Sequence, residues 1–190
     1  MAVVPHGEGQ LQRVINLIDR LNYRVGRTVM WLAVITALVQ FTTVIMRYVF
    51  AVGFIPMQET IWYLHSILFM TGAGFALLQD GHVRVDILYR PARPKTKAVI
   101  DMLGALFLLL PVCIAMFWLS FSYVTNSWVI GEGSTEVSGL PLIFVLKTFI
   151  WVFAILVGLQ GVALAMRAFL AIKNDDPNYS PAGVKPEAVH

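Results

Sequence analysis

The spacing of charge along this chain constrains its fold more than any other feature. Arg27 and Arg47 bracket 19 uncharged residues, 28–46. Glu59 and Asp80 bracket 20, residues 60–79. Asp101 and the polar Asn126 bracket 24, residues 102–125, and Lys147 and Arg167 bracket 19, residues 148–166. At the rise of an α-helix these runs reach about 28 to 36 Å, enough to cross a hydrocarbon layer of about 30 Å. A spanning segment must satisfy its own backbone hydrogen bonds, so the runs are expected to be helices. Only 13% of residues are charged, against about 25% in soluble domains. The predicted fold is an all-α integral membrane protein with spans at about 28–47, 60–79, 102–125 and 140–167. The last helix is expected to start near Leu140, which puts Lys147 in its first turns. The first apolar stretch is too long for a signal-peptide core and lacks a small-residue cleavage site, so it reads as a retained span.

Lysine and arginine set the expected orientation. Arg13, Arg20, Arg24 and Arg27 precede the first span. Arg84, Arg90, Arg93, Lys95 and Lys97 lie between the second and third, and Arg167, Lys173 and Lys185 follow the fourth. Only Arg47 and Lys147 of the 14 basic residues fall on the other side. Both termini and the central connection are therefore expected in the cytoplasm, in a bacterial inner membrane. Trp31, Tyr48, Trp62, Tyr123, Trp128 and Trp151 stand near span ends, where interfacial aromatics belong. Trp118 is deeper and is expected to pack between helices.

Residues 1–27 read as a cytoplasmic N-terminus. Within it Leu11, Val14, Ile15, Ile18, Leu21 and Val25 recur at helical spacing, opposite Arg13, Asn16, Arg20, Tyr23, Arg24 and Arg27. Such a basic amphipathic helix is expected to lie in the membrane interface; the alternative is a continuation of the first span. The spanning domain covers 28–172. The proline-containing, weakly apolar segment 173–190 reads as a disordered cytoplasmic tail.

Polar groups within membrane segments each require a reason. His65 is the one histidine inside a span, so a bis-histidine haem site has no second ligand, and no cofactor, metal site or catalytic group is expected. His65 reads as a packed or hydrogen-bonded helix residue. Glu59 enters the second span, either favoured by the helix dipole or paired with Arg47 or Lys147. Gln40, Thr42 and Thr43 are candidates for bonds between helices. Small residues in 71–74 and at Ala154, Gly158, Gly161 and Ala165 invite close helix approach. Pro111 predicts a kink, and the lone Cys113 reads as a small buried apolar residue. After the second span, His82, Arg84 and Asp86 alternate with Val83, Val85 and Ile87, a pattern that suits an ordered docking strand as well as a basic loop. Nothing in the chain suggests a nucleic-acid partner.

Three stretches resemble one known family: RYVF at the end of the first span, QETIWYLHSILFMTGAGFALLQDGHVRVDILY through the second, and EGSTEVSGLPLIFVLKTFIWVFAILVGLQGVALAMR through the fourth. They are similar to the DctQ-type small membrane subunit of tripartite ATP-independent periplasmic (TRAP) transporters, over roughly 47–167. The family often carries two acidic residues entering the second span; here the pair reads Gln58-Glu59. The resemblance implies sodium-driven uptake of an organic acid, delivered by a periplasmic solute-binding protein. It also implies a large membrane subunit that moves the solute and a small subunit that braces it, with membrane lipids around both. The competing expectation is a membrane anchor or assembly subunit of another inner-membrane complex.

Overall fold

The computed structural model describes residues 6–81, 89 and 91–182. Among them the regular structure is helical, and four helices are long and apolar enough to cross a membrane. They are α1 (His6–Tyr48), α2 (Ile55–Leu78), α3 (Pro94–Ile130) and α4 (Ile143–Lys173).

α4 is the hub. It packs against α1, α2 and α3, while α1 lies mainly on α2. The order across the molecule is therefore α1, α2, α4, α3. Burial follows this order: Ala154, Val157, Ala163, Leu164, Ala165 and Ala168 of α4 are buried, whereas α1 and α3 leave most of their apolar residues uncovered. Small residues make the close approach. Gly74 of α2 faces Asn22 and Leu156, and a side chain there would collide with the Asn22 amide. Gly161 of α4 receives Leu109 of α3, and Gly158 faces Cys113, which is buried.

The N-terminal segment does not form a separate interfacial helix. Residues 6–48 are one helix, with no proline to break it. Gly26 does not end it, because its bare backbone is where Phe75 of α2 packs, and any Cβ would meet that ring. Tyr23 lies 5.9 Å from the same ring. The buried side of this segment is Ile15, Ile18, Asp19, Asn22 and Gly26, while Val14, Leu17 and Leu21 remain exposed. The predicted apolar stripe is therefore split, and two polar residues take the packed face.

α2 ends with Asp80 in the left-handed region (φ 58°), its N–H and that of Gly81 returning to Leu77 and Ala76. Pro94 occupies the first turn of α3, where a missing N–H costs nothing. Within α3 the run Ala105–Leu109 is π-helical, and the Leu110 N–H reaches back five residues to Ala105. This widened turn directly precedes Pro111, whose ring would crowd the carbonyl four residues earlier in a regular helix. It also turns Leu109 onto Gly161. Trp118 does not pack between helices; it is 77% exposed.

Residues 174–182 do not form a free tail. Tyr179 packs on a cluster of Ala98, Ala168 and Ala171. It donates to Asp101 of α3 at 2.9 Å, and Tyr89 donates to the same carboxylate oxygen at 2.7 Å. Burial, then the adjacent Asp101 carboxylate, raise the Tyr179 hydroxyl far above the ordinary phenol range, so it acts as a permanent donor.

Candidate functional site: polar clasps at the two ends of the helices

The N-terminal half of α1 and the C-terminal half of α4 are joined by a relay of buried polar groups. Asn22 of α1 donates to the Gln160 carbonyl oxygen at 2.8 Å. Gln160 donates to Asp19 Oδ1 at 3.0 Å, and Arg167 donates to Asp19 Oδ2 at 2.7 Å. A second arm of Arg167 reaches the Pro181 carbonyl at 2.7 Å, tying in the segment that follows α4. Asn22, Gln160 and Asp19 are all buried. Both charges of the relay have partners, as a buried pair requires, while the buried Asn22 Oδ1 has none among the described residues.

At the other end Glu59 occupies the second turn of α2, not the first, since the helix starts at Ile55. It is buried, and neither Arg47 nor Lys147 is its partner. Its two oxygens accept instead from the Ser134 hydroxyl and, at 2.5 Å, from the Leu140 N–H. The loop between α3 and α4 is thus folded over the start of α2. Gly139 is necessary to this fold-over, because a Cβ there would run into both Ser134 and Glu59.

Lys147 faces away from that carboxylate. It is paired with Glu132 and lies 3.8 Å from the centre of the Tyr123 ring. Gly131, in the left-handed region at φ 61°, ends α3 and turns Glu132 toward the lysine. Hydrogen bonding to Lys147 is the main cause that holds the Glu132 carboxyl below its ordinary value. Beside this pair, Trp128 donates to Thr148 at 2.9 Å and meets Phe144 edge-on. Glu132, Tyr123, Trp128, Lys147 and Thr148 together pin the C-terminal end of α3 to the start of α4.

Arg47, in the last turn of α1, is exposed in a groove with Gln40, Gln58 and Trp62, and has no ion pair among the described residues. His65, expected to be packed or hydrogen-bonded, is exposed on α2 and has no hydrogen bond among the described residues. Thr42 and Thr43 bond to their own helix at Leu38 and Val39, and Gln40 bonds to nothing described. His82, Arg84 and Asp86 lie outside the described residues.

The sequence reading missed Asp19, Asn22, Gln160 and Asp101 as site residues, and saw Arg167 only as a boundary. A signal was present: Gln160 is a lone amide inside a long apolar run, and Asp19 and Asn22 stand three apart beside Ile15 and Ile18. Asp19 and Arg167 are both near span ends, so neither had demanded an explanation from hydropathy alone.

Four apolar helices clasped at both ends by their own polar side chains define a multi-pass helical membrane protein. The family model described as Tripartite ATP-independent periplasmic transporters, DctQ component, matches residues 36–176, and the chain belongs to that family. It is thus a small membrane subunit of a TRAP transporter, from a family of transport components and not of enzymes. No curated protein and no solved structure matches the chain. The matched region begins after Asp19 and Asn22, so the Asp19–Arg167 clasp fastens a flanking helical segment to the family domain.

Proposed function

We propose that this subunit braces the large membrane subunit of a sodium-driven, binding-protein-dependent transporter for an organic acid, in a bacterial inner membrane. The observation that carries the bracing role is the disposition of polar groups. Buried Asp19, Asn22, Glu59 and Gln160 are bonded within the chain, in clasps that hold one element to another. A moving solute site needs polar groups or broken helices left open to a cavity at mid-membrane. Among the described residues the four long helices are continuous, and their one irregular turn, Ala105–Leu109, is apolar and packs on Gly161. The broad exposed surfaces of α1 and α3 suit contact with lipid and with another membrane protein. Sodium coupling, the organic acid and the periplasmic binding protein come from the family resemblance alone.

Both termini and the central connection are placed in the cytoplasm on the distribution of lysine and arginine. The Asp19–Arg167 clasp is then cytoplasmic-side and the Glu59 and Glu132 clasps periplasmic-side.

Reconstitution tests the bracing role. Liposomes containing this chain alone should accumulate no solute, and uptake should require the large subunit, the binding protein and a sodium gradient. Solute-specific uptake by this chain alone would overturn it.

A further inference from the structure

Exposed residues of the two outer helices differ in kind. On α3 every exposed residue from Leu103 to Leu119 is apolar, including Leu106, Phe107, Leu108, Val112, Ile114 and Trp118. That surface is matched to lipid. The α1–α2 side is not. Trp62, His65 and Phe69 form an exposed stripe along α2, at three- and four-residue spacing. Gly72 continues it one turn on, with open space where a side chain would be. Trp62 also lines the groove that contains Gln40 and Arg47 of α1.

Depth decides what can cover this side. Gln40 is seven residues inside Arg47, and His65 six inside Glu59. At 1.5 Å per residue Gln40 sits about 10 Å below Arg47 and His65 about 9 Å below Glu59, depths that fall within a hydrocarbon layer of about 30 Å. Neither side chain has a hydrogen-bond partner among the described residues. Lipid tails offer no partner, so an amide and an imidazole left bare at that depth are unfavourable. Arg47, at the rim of the same groove, requires an anion or a carbonyl.

Resting on the bracing role proposed above, we infer that the Trp62–His65–Phe69 stripe and the adjoining Gln40–Arg47 groove form the face that docks the large membrane subunit. The occupant is a transmembrane helix of that subunit. It carries hydrogen-bonding groups level with Gln40 and His65, and a carboxylate or free carbonyl near Arg47. Gly72 gives its backbone room for close approach. The α3 side is left to lipid.

The test uses the complete transporter, co-expressed in membranes, with a photocrosslinking phenylalanine analogue at position 62, 69, 107 or 119. Positions 62 and 69 should capture the large subunit, and 107 and 119 should not. In the same complex, Gln40→Leu and His65→Leu should each weaken co-purification about threefold or more, the size of an interhelical polar contact. Phe107→Leu should have no effect. Capture of the large subunit from 107 or 119 but not from 62 or 69 would overturn the assignment, as would no capture from 62 and 69 in a complex that still co-purifies. Capture of a second copy of this chain from 62 and 69 would instead make the face a homodimer contact and equally overturn it. If the two subunits fail to co-purify at all, the bracing role itself falls, and the docking face with it.

Discussion

Asp19 and Arg167, separated by 148 residues in sequence, meet at 2.7 Å between the N-terminal half of α1 and the C-terminal half of α4. The aspartate side chain is 3% exposed and the arginine 17%, so the pair is largely out of water. Its geometry is completed by Gln160 on the other carboxylate oxygen.

Removing one member of a buried pair leaves the other's charge without compensation. Arg167→Ala should therefore lower the stability of the purified protein by about 3–5 kcal/mol. Asp19→Asn strands the Arg167 charge instead and should cost less, because that guanidinium is the more exposed partner, 17% against 3%, and keeps its bond to the Pro181 carbonyl. The double variant should be more stable than the sum of the single losses predicts, since the two groups act on each other. Thermal unfolding in detergent measures all three, and strictly additive effects would show that the pair does not act as a unit.

The loop between α3 and α4 depends on two donors converging on Glu59. Glu59→Leu keeps much of the bulk but leaves the Ser134 hydroxyl and the Leu140 N–H without their acceptor. It should cost about 1–3 kcal/mol, the penalty for a buried group left without its bond. Gly139→Ala should be similarly damaging through steric collision with Ser134 and Glu59, by about 1–3 kcal/mol as for overpacking elsewhere. Protease sensitivity of the 131–142 loop should rise in both variants. An unchanged digestion pattern would mean that the loop is held by other contacts.

Glu132 gives the protein an acid-sensitive contact. Its carboxyl is held below the ordinary value of 4.5, chiefly by the bond to Lys147. A depressed carboxylate contributes stability that is fully present above its unfolded value and is lost as pH falls through the folded one. The melting difference between the native protein and Glu132→Gln should therefore be constant from neutral pH down to about 5.5. It should shrink below the unfolded value of 4.5. Melting curves from pH 7 to pH 3 check this, and a gap that widens on acidification would contradict the assigned pairing.

Reporter fusions resolve orientation. Fusions after Gln58 and after Glu132 should report the periplasm, and one near Arg93 the cytoplasm. A periplasmic signal near Arg93 would invert the arrangement and move the Asp19–Arg167 clasp to the outside.

The sequence by itself determined the four helices long and apolar enough to span. A charge in hydrocarbon is so unfavourable that Arg27, Arg47, Glu59, Asp80, Asp101, Lys147 and Arg167 mark where apolar runs must stop. It also carried the family, in the stretches ending at RYVF and running through LQG. Only the tertiary structure decided the partners. Hydropathy places Glu59, Arg47 and Lys147 at one level of the membrane and suggests pairing among them. Which groups meet depends on helix order and rotation. α4 lies between α2 and α3, so Lys147 turns to Glu132, and the loop brings Ser134 and Leu140 to Glu59. The same dependence hid Asp19 and Asn22. Their place on a basic helix suggested solvent, and only the approach of Gly74, Gln160 and Arg167 makes that face an interior.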